Sequence, residues 1–398
     1  MPVLTHQAAV VGASAENGER PTVEWARELA ARLVPPTVAD RDRDRVWDPQ
    51  VFAELAGSRP GILGAFVPSE LGGSGLCATR AFELLEGLGE GMGDPGLALM
   101  TVAHAVLATV PLLAFGSSAQ QARYLPRMAT GEWLGAVSLN QTQGAAQTPG
   151  IAARPCEQRP GEWELQGTMD LVAGAPVAHH FLVIASHEDG ERTAFLIDGS
   201  TPGVLVSKTD PMAMPTCPWG RVVLDRCRLP HDAVLGTVGG ASTEVEPLLA
   251  VLDWVFTSAP WLGIMRTLAR MAGDVVHERL VFGQPLAHDQ SARFVLAELA
   301  TLCELADGML RHAAAQFDAP GKISRQDAAA ARLFTAEAAR AVVEGTARLA
   351  GPSDAGSYHL ISRAHRDILF FAETGGGTAV LRSVIAACQL NIAGTEGL

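Results

Sequence analysis

The sequence lacks the signatures of several common protein classes. The six cysteines include no C-x-x-C pair, so we expect reduced thiols rather than a disulfide or zinc framework. Residues 1–12 have no basic region of the kind that opens a secretory signal peptide. The most apolar early run, residues 103–115, is too short to cross a bilayer and predicts a buried helix. We therefore expect a cytoplasmic protein with no membrane partner.

Basic residues are also in deficit. Lysine and arginine number 30 against 43 aspartates and glutamates, for a net charge of −13. A surface of this sign repels phosphate backbones, which disfavours nucleic acid as a partner. His179 and His180 adjoin with no metal-ligand spacing, so no metal site is expected. No G-x-S-x-G, Walker A or Rossmann motif occurs, so the common hydrolase and nucleotide-binding signatures are absent.

The arrangement of apolar residues predicts an α+β protein with three regions. A chain of 398 residues suits two or three cooperating domains. Helical spacing runs through the first part, where Pro35-Pro36 should end one helix and Asp48 should cap the next. Short apolar runs of strand length follow, at 133–139, 162–166, 180–186, 193–198, 203–206 and 220–225. Helical spacing then returns over 244–280, 289–316, 325–350, 357–370 and 376–392.

From these changes we predict an N-terminal helical domain at 1–132, a middle β-domain at 133–240 and a C-terminal four-helix bundle domain at 241–398. The pattern alone does not name a function.

Five segments carry a family resemblance. They are GAFVPSELGGSG at 64–75, FGSSAQQARYLPRMATGEWLGAVSL at 115–139, WGRVVLDRCRLPHDAVLG at 219–236, ERLVFGQPLAHDQ at 278–290 and HRDILFF at 365–371. Each resembles a segment of the acyl-CoA dehydrogenases, and the order and spacing of all five fit that family. The resemblance covers most of the chain and implies the acyl-CoA dehydrogenase-like fold.

The same resemblance implies a chemistry and a set of partners. Members of the family bind FAD as dimers or tetramers and remove two hydrogens from an acyl thioester. A carboxylate takes the weakly acidic α-proton while the flavin accepts the β-hydride. The substrate would be an acyl group on CoA or on an acyl carrier protein, and an electron-transfer flavoprotein is a possible partner.

The catalytic base stands at an unusual position. The family's common glutamate lies in an EGT motif, and the matching position here is Gly376. In long-chain and branched-chain members the base lies instead near the start of the first helix of the C-terminal domain. Aligning residues 252–266 with that helix places Asp253 there, beside Trp254 where an arginine is common. Glu373 is an alternative base, and Asp253 could instead be an ordinary acid in a first helical turn.

The flavin-facing residues resemble the family only in part. Ser138 keeps a hydroxyl, whereas Leu171 replaces a tryptophan that packs on the flavin and Ala173 replaces a hydroxyl residue near flavin N5. Losing an aromatic face weakens flavin binding by about 1 kcal/mol. Other matching cofactor positions are retained better; these are Arg279, Phe282, Gln290, Arg348, Gly351 and Thr378.

Among these positions, Arg279 and Phe282 match residues that reach the FAD pyrophosphate and adenine from across a dimer. Arg348 offers a second cation for the pyrophosphate.

Two other functions stay open at this level. Flavin monooxygenases on the same scaffold also lack the glutamate and let reduced flavin meet oxygen. The eroded flavin positions are also compatible with a non-redox protein of this fold that has lost FAD.

Overall fold

The computed structural model describes residues 22–58, 61–141, 150–156, 159, 161–321, 323–351 and 360–390. Its first part is helical. The helices are α1 (Val23–Leu33), α2 (Pro35–Asp44), α3 (Pro49–Ala56), α4 (Ala78–Met92), α5 (Pro95–Val102), α6 (Thr109–Phe115) and α7 (Ser118–Ala129).

Local sequence explains where these helices begin. The Asp48 carboxylate accepts hydrogen bonds from two backbone N–H groups in the first turn of α3, as predicted. Ser117 and Gln120 form a reciprocal capping box that starts α7. The prediction for Pro35 was incomplete. Proline has no backbone N–H, and the N–H groups in the first turn of a helix have no partner inside the helix. Pro35 therefore ends α1 and also begins α2.

The apolar run in this part is longer than the sequence suggested. A π-helical segment at Ala103–Ala108 joins α5 to α6, and the continuous helix spans the 21 residues Pro95–Phe115. By length and composition it could cross a membrane, as could the helical stretch Val245–Glu278, which breaks once at Thr257. The most apolar part of each stretch is 89% and 94% buried within the protein, so both belong to its core.

The middle part is a sheet. Its strands are β1 (Gly135–Val137), β2 (Ile151–Pro155), β3 (Trp163–Ala173), β4 (His180–Ser186), β5 (Arg192–Asp198), β6 (Val204–Lys208), β7 (Trp219–Leu229) and β8 (Val234–Leu235). They lie in the order β6-β7-β3-β2-β4-β5-β8, with β1 beside β4. The sequence prediction missed β2 and made β3 and β7 too short, because exposed residues interrupt the buried apolar ones along all three strands.

The C-terminal part is again helical. It contains α8 (Val245–Phe256), α9 (Ser258–Glu278), α10 (Gln290–Ala315), α11 (Arg325–Ala350), α12 (Leu360–Glu373) and α13 (Gly377–Gln389), and a hairpin of β9 (Leu280–Val281) and β10 (Gln284–Pro285) follows α9. The single helix predicted at 244–280 is two helices. They separate at Thr257, whose hydroxyl donates to the backbone oxygen of Asp253.

Two glycines let α4 and α9 meet backbone to backbone. A Cβ atom on Gly89 would lie 2.1 Å from the Pro260 oxygen, and one on Gly263 would lie 2.1 Å from the Glu86 oxygen. Any larger residue at either position would force the helices apart. The observed order of helices, sheet and helices confirms the predicted fold class.

Candidate functional site

Asp253 is a buried acid inside the protein. It is the ninth residue of α8, in the last part of that helix, and its exposure is 1%. The acid in the first turn is Glu246, so Asp253 is not an ordinary first-turn acid, and the expectation that it lies near the start of this helix was also wrong. Burying a carboxylate is costly unless it has partners. The position of Asp253 therefore calls for a local explanation.

The Asp253 side chain faces a cavity between the helices and the sheet. In the single chain the cavity is narrow, with about 20 Å³ open to the centre of a water-sized sphere. Four groups of residues line it: Pro95, Ala98, Leu99 and Val102 of the long apolar helix; Leu139 and Met214 of the β-domain; Asp253, Thr257, Pro260, Trp261 and Ile264 of α8 and α9; and Phe370, Phe371 and Thr374 at the end of α12. Asp253 is the one acid among these lining residues. The cavity therefore has a single carboxylate on a largely apolar wall.

The glycine turn between α12 and α13 packs directly on Asp253. A Cβ atom on Gly375 would lie 3.0 Å from Oδ2 of Asp253. Trp254 fixes the turn, because its Nε1 donates to the Gly375 oxygen at 2.8 Å. Gly376 therefore lies in a turn that adjoins the acid. Glu373 is exposed and does not line the cavity.

Arg332 is a site residue that the sequence analysis missed. It is fully buried in α11. Its Nη1 donates to Thr257 Oγ1 at 2.9 Å, and its Nη2 donates to the Phe371 oxygen at 2.6 Å and to Thr374 Oγ1 at 3.0 Å. Burial lowers the pKa of Arg332 to about 10, although the negative charge of Asp253 opposes that shift. The sequence signal was an arginine among the alanines of a buried helix face.

Three of the predicted flavin-facing residues lie together at the edge of the sheet. The Ser138 hydroxyl donates to the Asp170 oxygen at 2.7 Å, so part of its bonding capacity serves the backbone. Leu171 adopts a left-handed conformation at φ 51°, and its oxygen accepts from the Leu139 N–H. Ala173 is buried. Since Leu139 lines the cavity, this edge adjoins the space that Asp253 faces. Part of the neighbouring turn, residues 142–149, lies outside the described residues.

The predicted pyrophosphate residues also come together. Arg279 Nη1 donates to the Leu349 oxygen at 2.6 Å. Gly351 has φ 73°, and a Cβ atom there would lie 2.7 Å from the same Nη1. Arg348 is exposed one turn earlier at the end of α11. A guanidinium beside a glycine, with a second arginine near, fits a diphosphate group.

The remaining predicted cofactor residues lie on accessible surface. Phe282 and Gln290 are exposed, and Phe282 stands at the tip of the β9–β10 hairpin with φ 50°. Thr378 is half-buried in the first turn of α13, where its hydroxyl accepts from Arg382 at 3.4 Å. The structure therefore forms two groups, one beside the cavity and one around Arg279. Both fit parts of FAD, a flavin ring with a diphosphate-linked nucleotide.

Comparison with known families identifies the chain. Three family models match it: acyl-CoA dehydrogenase, N-terminal domain, at residues 17–132; the middle domain at 141–227; and the C-terminal domain at 255–390. The chain therefore belongs to the acyl-CoA dehydrogenase family, as the sequence motifs predicted.

Individual relatives agree with this membership. The chain is 26% identical over 367 residues to a 3-(aryl)acrylate reductase of Clostridium sporogenes, covering 91% of this chain and 96% of that one. It is 26% identical over 273 residues to an L-prolyl-[peptidyl-carrier protein] dehydrogenase of Pseudomonas fluorescens, covering 66% and 71%. It is 27% identical over 370 residues to the human short-chain specific acyl-CoA dehydrogenase, covering 92% and 88%.

Solved structures confirm the fold. PigA with FAD and proline matches with a TM-score of 0.86 at 22% identity, covering 96% of this chain and 99% of that one. Butyryl-CoA dehydrogenase from Megasphaera elsdenii matches with a TM-score of 0.85 at 24% identity, covering 95% and 100%. The protein is a flavin-dependent oxidoreductase of this family, and the predictions of FAD and of acyl-thioester chemistry are confirmed.

Proposed function

We propose that this chain removes the α-proton and β-hydride of an acyl thioester, with Asp253 as the base. The observation that carries the proposal is the placement of Asp253, a buried carboxylate on the wall of an otherwise largely apolar cavity. Glu373, the alternative base, is exposed and does not line that cavity. Gly375 leaves room for the Asp253 carboxylate, because a side chain there would contact it, whereas a side chain at Gly376 would meet Val380 instead.

The surroundings of Asp253 suit proton removal. An ionised carboxylate accepts protons. The apolar wall keeps water away from the carboxylate that must take the α-proton. The negative charge of Asp253 and the buried Arg332 cation attract each other, and such attraction is strong away from water. FAD, when bound, accepts the hydride that leaves the β-carbon. The reaction then needs an acyl group whose α-carbon lies within hydrogen-bonding reach of Asp253.

Residues from two copies of the chain would hold the cofactor. Ser138, Leu171 and Ala173 lie beside the cavity and would contact the flavin ring. Arg279, Phe282, Gln290, Arg348 and Gly351 would bind the pyrophosphate and adenine from a second copy, and Thr378 would contribute from the turn beside the cavity. The hairpin supports this assignment, because Leu280 and Phe282 are 65% and 103% exposed in the single chain. We therefore propose a homodimer or homotetramer.

The carrier, the electron acceptor and the location complete the proposal. We propose CoA or an acyl carrier protein as the thiol of the substrate. One relative acts on a prolyl group held by a carrier protein, by its name, and others act on acyl-CoA. An electron-transfer flavoprotein is the proposed acceptor of electrons from reduced FAD, and the cytoplasm is the proposed location.

Flavin absorbance provides the test. The purified protein should be yellow, or become yellow with added FAD, and absorbance near 450 nm should fall when an acyl thioester is added without oxygen. Acyl groups should be offered both on CoA and on an acyl carrier protein. A colourless protein that stays so with FAD, or a flavin that no acyl thioester bleaches, would overturn the proposal. Turnover that requires oxygen and a separate flavin reductase would favour a monooxygenase instead.

A further inference from the structure

A turn of the β-domain forms part of the cavity wall in a strained conformation. Met214 is buried, lies between β6 and β7 and lines the cavity. Its φ is 50°, in the left-handed region that residues with a side chain rarely adopt. Such a conformation persists only where the surrounding structure holds it, and it occurs most often at functional sites. The contacts that hold Met214 therefore indicate what this turn does.

Asp367 holds the backbone N–H of Met214. Its Oδ1 accepts from that N–H at 2.8 Å, and the residue is fully buried in α12. Arg366 donates to both oxygens of the same carboxylate, at 2.7 and 2.9 Å. Arg366 also donates to both oxygens of Asp42 in α2. Asp367 thus has two contacts that an experiment can separate, an ion pair with Arg366 and a hydrogen bond to Met214.

Trp219 holds the backbone oxygen of Met214. Its Nε1 donates to that oxygen at 3.0 Å, and the Cys217 N–H donates to it at the same distance. The indole ring packs edge-on against Phe370, which also lines the cavity, with the ring centroids 5.2 Å apart. Trp219 pairs with Ala173 across β3 and β7, and Ala173 is one of the proposed flavin-facing residues. Trp219 therefore connects the cavity wall with the proposed flavin edge.

The rest of the turn is anchored to the first helical part of the protein. Thr216 donates to the buried carboxylate of Asp94, which also caps α5. A Cβ atom on Gly96 would lie 2.2 Å from the Thr216 hydroxyl oxygen, so the turn packs on this helix without spare room. Because Pro95 begins α5 and lines the cavity, a movement of the turn would disturb this wall as well.

We propose that Asp367 and Trp219 are positioning residues for the reaction, because they keep Met214 in the conformation that shapes the β-domain wall of the cavity. The inference rests on the proposed function, since it takes the cavity beside Asp253 as the place of reaction. Neither positioning residue lines the cavity, so both act through Met214. Without their hydrogen bonds the turn can relax out of the left-handed region, and the acyl group then lies less well against Asp253 and the flavin. A displacement of about 1 Å can lower a rate by about 100-fold.

Rapid mixing of the FAD-loaded protein without oxygen tests the inference. Butyryl and octanoyl groups, each on CoA and on an acyl carrier protein, would be mixed with the wild type and the variants. The limiting rate of flavin reduction would be measured at saturating thioester. Asp367→Leu removes the acceptor of the Met214 N–H, so this rate should fall by about 10- to 100-fold. Asp367→Asn keeps an oxygen for that hydrogen bond, so its rate should stay within about threefold of the wild type.

Arg366→Met is the matched control. It removes the ion pair of Asp367 but leaves the hydrogen bond to Met214. It should therefore lower the stability in urea while the limiting rate stays within about threefold of the wild type. Equal losses of rate in Asp367→Leu and Arg366→Met would overturn the positioning role, as would a wild-type rate in Asp367→Leu.

Trp219→Phe is the second variant, for use if Asp367→Leu does not fold. It removes the indole donor to Met214 and keeps a ring beside Phe370, so the limiting rate should fall by about fivefold. Trp163→Phe makes the same change in the β-domain core, at a residue that does not line the cavity, and should keep the wild-type rate. Equal rates in these two variants would overturn the inference. A wild-type flavin that no acyl thioester reduces would instead contradict the proposed function.

Discussion

The Oδ2 atom of Asp253 lies 3.0 Å from the point where a Cβ atom on Gly375 would stand. The same point lies 3.2 Å from Cδ1 of Trp254. A side chain at position 375 would thus press on the acid and on the indole that holds the turn. Because Gly375 has no side chain, the Asp253 carboxylate has room for its observed position.

Gly375→Ala should therefore reduce turnover. The added methyl group displaces the Asp253 carboxylate, and a small displacement of a reacting group can lower kcat by about 10- to 100-fold. The backbone also disfavours alanine, since Gly375 has φ 70°. Gly190→Ala is the control, because Gly190 has φ 88° and nothing within 4 Å of the added atom. Equal kcat in the two variants, measured by flavin reduction, would contradict the proposed contact.

Arg332→Met should lower kcat. Arg332 bonds Thr257 and Thr374 on the cavity wall beside Asp253, so its loss should displace that wall and reduce kcat by about 10-fold. Loss of the buried hydrogen bonds should also lower the free energy of unfolding by about 3 kcal/mol. Arg332→Lys keeps the charge and should keep more of the turnover than Arg332→Met.

Arg340→Met provides the control for Arg332. Arg340 lies exposed on the same helix and pairs with Glu344 at 2.9 Å. Its loss should change unfolding by less than about 0.5 kcal/mol. Wild-type kcat in Arg332→Met would show that Arg332 supports the fold alone.

His180 should make folding sensitive to acid. Burial, followed by the charges of His104, His179 and Arg123, lowers the pKa of His180 to about 3. The unfolded chain takes up the proton near pH 6.5, so the stabilisation present above that pH is lost as the pH falls towards 3. At pH 5 the loss is about 2 kcal/mol. The free energy of unfolding should be measured in urea at pH 7 and at pH 5. The difference between the two values should be smaller in His180→Leu than in the wild type, by about 2 kcal/mol. An unchanged difference would contradict the pKa assignment.

Phe282→Ser should weaken both assembly and cofactor retention. The hairpin exposes Phe282 completely in the single chain, and we propose that a second copy covers it. Light scattering should show a smaller species, and absorbance at 450 nm should show less bound FAD. Leu205→Ser is the control, because Leu205 is 59% exposed on β6 in the β-domain. A Phe282→Ser protein with wild-type mass and flavin content would argue against an interface at the hairpin.

Sequence patterns predicted the framework of this site better than its details. Helical and strand periodicity, with family motifs, indicated the three regions and drew attention to Asp253 and Gly376. The break at Thr257 was missed although Pro260 signalled it, because a proline interrupts a helix interior and is tolerated in a first turn. Arg332 was missed because its partners lie up to 75 residues away in the chain. Contacts of that kind depend on tertiary packing, which periodicity does not encode.

The central claim is that Asp253 removes the proton, and rapid mixing of the FAD-loaded protein with butyryl thioester tests it. Asp253→Asn keeps the shape of the side chain but not its basicity. Its rate of flavin reduction should fall by about 10²- to 10⁴-fold. Glu373→Gln, the matched change at the exposed alternative, should keep a rate within about threefold of the wild type. Near-normal flavin reduction in Asp253→Asn, or a large loss in Glu373→Gln, would contradict the account.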